Sequence, residues 1–277
     1  MRGVGSLKAA PKIERPGPAL RGPTFATMRA ILFALLAVPS IALGQRTLKG
    51  IQEASIPLVT VQVGYAHQWP GGDLASRFMD NSNIGLGAWR KGEQQWLFGV
   101  EGSFIFGSKV IEPGILRNVV NSAGQVLDKD GLMADVFLYE RGWTLFGVAG
   151  RLLPVVGPND NSGLVVKLGA GYMRHKVRVQ TQKNEVPQLE GEYLKGYDRL
   201  SAGPAALAYA GYQHFGKRRF INFHIGVELM AGFTEPLRAY NFDTEQYNSG
   251  GRLDLLTGIR AGLSLPIYRK PDDQFRY

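Results

Sequence analysis

Apolar and polar residues alternate along most of the chain beyond residue 57. The clearest run is the last. Leu253, Leu255, Thr257, Ile259, Ala261, Leu263, Leu265 and Ile267 fill every second position, with Asp254, Leu256, Gly258, Arg260, Gly262, Ser264, Pro266 and Tyr268 between them. Period two puts the two sets on opposite faces of a strand. Such a strand exceeds the about 5–6 residues usual in soluble sheets and suits a tilted bilayer crossing, which needs about 9–11. The same pattern predicts strands over residues 58–69, 84–90, 96–106, 143–153, 164–179, 201–215, 220–231 and 253–267.

The strand count follows from the loop lengths. Membrane barrels of even strand number keep short turns on the periplasmic side and long loops outside. Residues 132–139 are assigned to an outer loop, as a helical or strand-like extension. The connections 91–94, 154–163 and 216–219 are then the periplasmic turns, and 70–83, 107–142, 181–200 and 232–251 the outer loops. A ninth strand would put the tightest turn, 216–219, outside. The prediction is therefore all-β: an eight-stranded antiparallel transmembrane up-and-down β-barrel over residues 58–269, with long outer loops and short periplasmic turns.

A soluble sandwich or lipocalin-like barrel would turn its apolar alternation inward instead. Against it stands a glycine-rich polar face without the dense Lys/Glu coat of a soluble surface. Aromatics also gather at strand ends: Tyr65, Trp69, Trp89, Trp96, Phe106, Trp143, Tyr172, Phe215 and Tyr268. These are expected to form girdles at two bilayer interfaces.

Composition adds an exported chain. Arg29, the apolar run 30–38 and the small residues Ala42 and Gly44 before Gln45 read as a secretory signal peptide over 28–44, cleaved near Gly44. Residues 1–27, with Pro11, Pro16, Pro18 and Pro23, read as a leader or over-extended start before Met28. Residues 45–57 are a periplasmic segment, and 270–277 a tail whose terminal aromatic, Tyr277, is the expected assembly signal for outer-membrane insertion. The chain has no cysteine, which excludes disulfides, thiolate metal sites and a lipoprotein anchor. Its formal charge of +9 falls to +4 without residues 1–44, leaving 26 Lys/Arg against 22 Asp/Glu. With no basic run or basic–aromatic cluster, there is no nucleic-acid footprint.

An eight-stranded interior is just wide enough to be filled by side chains. The inward candidates are Gln62, Asn222, His224 and a charge cluster of Glu101, Arg151, Lys167, Glu228, Asp254 and Arg260. Buried charges need partners, so three acids and three bases suggest an internally neutralised plug; a narrow ion or small-solute channel gated by these charges, or a proton or ion relay along them, is the transport alternative. No histidine pair has metal-ligand spacing, and no cofactor is implied. Ser201 with His175 at the outer rim is the enzymatic alternative, a lipid-modifying site, but no nucleophile elbow supports it. The prediction is no enzyme.

The most individual segment is the loop 186–200. Tyr193, Tyr197, Asp198 and Arg199 form the candidate partner-binding surface, since Tyr and Arg are enriched at hot spots. The alternative is a loop folded over its own barrel mouth, with Asp198 and Arg199 as tethers.

From residue 58 to residue 277 the chain resembles the small outer-membrane β-barrel proteins of Bacteroidota. The carrying stretches are GDLASRF at 72–78, WLFGVEG at 96–102, YERG at 139–142, YDRL at 197–200 and LPIY at 265–268. The resemblance implies outer-membrane localisation, with relatives that serve as accessories of secretion and gliding machinery. It supplies no catalytic residues. The expected partners are outer-membrane lipid, the barrel-assembly machinery and an envelope or secretion protein.

Overall fold

The computed structural model describes residues 55, 57–182, 185–216 and 222–268. The leader, the signal peptide, most of the segment 45–57, the core of the turn 216–219 and the tail with Tyr277 lie outside the described residues.

Eight long strands close into one antiparallel barrel. They are β1 (Leu58–Gly72), β2 (Asn81–Lys91), β3 (Trp96–Gly107), β4 (Asp135–Leu153), β5 (Gly163–Gln182), β6 (Ser201–Phe215), β7 (Asn222–Pro236) and β10 (Arg252–Tyr268). Between the last two, β8 (Tyr240–Asn241) and β9 (Gln246–Tyr247) make a small hairpin of their own. Each long strand pairs with its sequence neighbour, and β1 closes on β10 from Leu58 opposite Tyr268 to Gly72 opposite Asp254. Closure leaves no edge strand in the barrel wall, so the backbone groups there find partners within the sheet.

The strands match the alternation but run longer. Residues 135–139 are the start of β4 rather than a strand of their own. β5 pairs with β6 only as far as His175 opposite Ser201, while β4 and β5 stay paired to Asp135 opposite Gln182. A two-stranded ribbon therefore rises above the rim at the end that carries the long loops.

The interior is layered. At the short-turn end Leu58, Trp89, Leu97, Leu152, Val165, Tyr209 and Phe215 pack together. A polar and charged layer follows. Above it, apolar strand residues such as Phe146, Met173 and Leu256 meet Leu74, Phe78 and Ile115, which enter from the loops. Glycines make room for the large inward side chains. A Cβ on Gly211 or Gly226 would stand 2.4 or 2.7 Å from the Tyr209 hydroxyl, closer than any real Cβ tolerates.

Two of the expected girdle aromatics are corrected by this packing. Trp89 and Phe215 lie inside, with ring centroids 6.5 Å apart. In β2 the outward set is Ile84, Leu86 and Ala88, and Trp89 has the opposite parity. Tyr65, Trp69, Trp96, Trp143 and Tyr172 do face outward.

Candidate functional site

Polar chemistry gathers in two places: the middle of the lumen and the cap formed by the long loops.

In the lumen, period two delivers each charge from its own strand to one level. Lys167 on β5 forms an ion pair with Glu101 on β3, and its Nζ sits 4.6 Å from the centroid of the Tyr209 ring. Arg260 on β10 donates from Nε to Glu228 Oε2 at 2.5 Å and from Nη2 to Asn83 Oδ1 at 3.1 Å. Gln68 donates to the other oxygen of Glu228 at 2.8 Å. Buried ions held this way keep both charge and hydrogen-bond partners. Gln62, Gln213 and Ser264 form a neutral network beside them, with His224 Nδ1 3.4 Å from the Ser264 hydroxyl. Asn222 is buried at the foot of β7 and accepts from the Gly216 N–H. The cavities left in this layer hold about 10 Å³ each, room for a single water.

Asp254 lies nearer the loop end, fully buried. Its Oδ2 is 2.8 Å from His175 Nε2 and accepts from the Thr234 hydroxyl, and its Oδ1 accepts from Arg252 Nη2 at 3.2 Å. Arg151 takes no part. It is exposed on the outer face of β4, with its guanidinium 5.6 Å from the centroid of the Trp96 ring. It shares parity with Trp143 and Leu145, which face outward, whereas Phe146, Val148 and Leu152 face inward. Both faces of β4 are apolar there, so the polarity of neighbours does not reveal the direction.

Sequence reasoning also missed buried groups that parity could have found. His175 is two turns of the alternation beyond Gly171 on the inward set of β5 that holds Lys167. Glu140 on β4 is buried with Asn81 as its donor at 3.0 Å, and its Oε1 has no partner among the described residues. Ser201 stands opposite His175 in the β5–β6 ladder but shares no hydrogen bond with its ring: its hydroxyl donates to the Arg199 carbonyl at 3.2 Å and accepts from Arg77 at 3.4 Å. No group of three or more His, Asp or Glu gathers to hold a metal among the described residues.

The cap is a chain of ion pairs linking separate loops. Arg77, after β1, donates from Nε to Glu112 Oε2 at 2.8 Å. Arg199, before β6, donates from Nε to Glu112 Oε1 at 3.0 Å and from Nη2 to Asp243 Oδ2 at 2.5 Å. Arg238 grips Asp198 with Nε and Nη2, at 2.9 and 2.5 Å. Burial alone would raise the Glu112 carboxyl, but the guanidinium groups of Arg77 and Arg199 outweigh it and hold it below the usual carboxylate range. Beneath this network Val126, Val186, Leu189 and Tyr197 form a small core with Phe242 against it. Tyr197 and Phe242 meet edge to face at 5.6 Å.

Three of the four residues singled out in the loop 186–200 thus point into the cap. Tyr197, Asp198 and Arg199 are each no more than 5% exposed, while Tyr193 is 64% exposed. Of those four, Tyr193 is the one that remains available, joined on the hairpin by Tyr247, 80% exposed.

No family model and no curated protein matches the chain. Among solved structures it is similar to Neisserial surface protein A, at 13% identity over 75% of this chain and 96% of that one, with a TM-score of 0.40. It is also similar to Ail, the attachment invasion locus protein of Yersinia pestis, in complex with the heparin analogue sucrose octasulfate. That match has 15% identity over 76% of this chain and 99% of the other, with a TM-score of 0.34.

Proposed function

We propose that the protein is a non-enzymatic outer-membrane barrel. In this reading its filled lumen is a rigid support, and its capped loops bind a partner in protein export or envelope maintenance. The observation that supports this is an inversion of burial. Val63, Leu86, Phe98, Leu145, Leu168, Leu263 and Leu265 are between 47% and 66% exposed, while Lys167, Glu228 and Asp254 are at most 4% exposed. Water penalises the exposed apolar half of that arrangement, since soluble proteins rarely expose a contiguous apolar surface beyond a few hundred Å². A bilayer favours it, because lipid accepts the apolar face and closure satisfies the backbone. Lipid then surrounds the strands, the assembly machinery inserts them, and the cap is left for a protein partner.

Expression of the full chain, membrane fractionation and gel migration with and without boiling test the membrane reading. A band in the outer-membrane fraction that shifts on heating supports it; a soluble protein without the shift overturns it. For the partner, the aromatics Tyr193 and Tyr247 stand on a cap fixed from below, the arrangement that suits anchor residues. Affinity capture from the native envelope is expected to lose its specific partner with Y193A/Y247A while the heat shift persists. Unchanged capture would remove the cap from the proposal.

A further inference from the structure

The outer face of β4 and β5 just above the girdle carries a third concentration of charge, all of one sign. Going up the ladder from the girdle, Leu145 pairs with Tyr172, Trp143 with Arg174, Arg141 with Lys176 and Tyr139 with Arg178. All of these point outward by parity, with Trp143 and Tyr172 each 40% exposed. Arg141 and Lys176 stand directly opposite each other, and like charges so placed destabilise a sheet. No described carboxylate forms an ion pair with Arg141, Arg174, Lys176 or Arg178. Glu140, the nearest acid in sequence, points into the barrel toward Asn81. Asp135 lies four places farther up the ladder than Tyr139 and Arg178. Arg141 donates to the carbonyls of Glu140 and Gly107 and lies 5.0 Å from the Tyr139 ring centroid, which holds it against the sheet without neutralising it.

We infer that Arg141, Arg174, Lys176 and Arg178 form a binding site for the phosphate groups of an outer-leaflet lipid. The position selects lipid over a soluble anion. Trp143 and Tyr172, whose rings lie 5.9 Å apart, mark the interface. From Arg174 to Arg178 the strand climbs roughly 14 Å at about 3.4 Å per residue, or about 10 Å at a tilt near 45°, so the cations span the head-group region of roughly 5–8 Å and reach just beyond it. A head group carrying phosphate monoesters brings a dense negative charge to that height and relieves the Arg141–Lys176 repulsion. Arginine supplies the fork that matches phosphate oxygens.

The inference rests on the membrane reading above, and the test separates the two. The wild type and R141Q/R174Q/K176Q/R178Q are folded into phosphatidylcholine nanodiscs. The discs are plain, or doped with a bis-phosphorylated diglucosamine lipid, or with the same lipid dephosphorylated. Lipid retention is read by native mass spectrometry and the melting temperature by heat-shifted migration. The phosphorylated lipid is expected to raise the wild-type melting temperature and to bind at least on the order of a hundredfold tighter than to the quadruple variant. The dephosphorylated lipid is expected to do neither. Equal retention of both lipids by the wild type overturns the site even if the variant fails to fold. Equal retention by both proteins overturns it too. Tripolyphosphate giving the same stabilisation in plain discs would overturn the choice of lipid as the source. Failure of the wild type to enter plain discs would count instead against the membrane reading.

Discussion

Arg199 reaches Glu112 at 3.0 Å across 87 residues of sequence, while Arg77 holds the other oxygen of the same carboxylate. One acid thus ties the loop after β1, the loop after β3 and the loop before β6, and Arg199 extends the tie to Asp243 between β8 and β9. The loops at this end therefore form one body rather than four independent tethers.

The first prediction concerns acid. Glu112 titrates below its ordinary value of 4.5 in the folded cap. A carboxylate with a depressed folded pKa contributes stability that is complete above the unfolded value and is lost as pH falls through the folded one. Amide exchange in the cap is expected to rise below about pH 4 while the barrel stays protected. In E112A the cap should exchange fast at all pH values, with the acid step gone. An acid step of undiminished size in E112A would show that another group carries it.

The second concerns Glu228. Replacing it with glutamine leaves Arg260 buried with neutral hydrogen-bond partners only, Asn83 among them. Breaking a buried pair costs about 3–5 kcal/mol. Urea unfolding from lipid vesicles is expected to show a loss of that order for E228Q. The wild type should give no discrete conductance steps in a planar bilayer; steps that E228Q abolishes would favour an ion relay instead.

The third separates the two faces of the barrel. Arg151 lies outside against Trp96, where a cation–π contact is worth about 0.5–1 kcal/mol. Lys167 lies inside on Glu101. R151A is expected to be nearly neutral, and K167M to lose about 3–5 kcal/mol by stranding Glu101. Equal losses in unfolding experiments would contradict the assignment of faces.

The fourth tests how the cap is packed. A Cβ on Gly196 would stand 2.1 Å from Phe242 Cδ2, so the ring needs the bare backbone there. G196A is expected to destabilise the cap by about 1–3 kcal/mol, and F242A in the same chain to recover part of that loss. Protease nicking of the loops measures it. Additive effects of the two changes would refute the contact.

Alternation by itself determined the barrel and most of its facing. In β10 the residues Leu253 to Ile267 taken in twos could sit on only two faces, and one of them was too apolar for water to share with Asp254 and Arg260. Loop lengths then set the strand count and kept residues 135–139 out of a ninth strand. The pattern loses its power where both faces carry the same kind of residue. In β4 it gives no direction to Arg151, and in β2 an aromatic at a strand end has the look of a girdle residue although Trp89 fills the lumen. Partnership was beyond the sequence altogether. Asp254 meets His175 across 79 residues and Arg199 meets Asp243 across 44, separations set only when the barrel closes and brings distant strand ends to one rim. Tertiary structure therefore decided which charges neutralise each other and that Tyr197, Asp198 and Arg199 hold the cap together. The physical reason is that a side chain's direction is a local property of the strand, whereas its neighbour across the lumen depends on the register of every strand between.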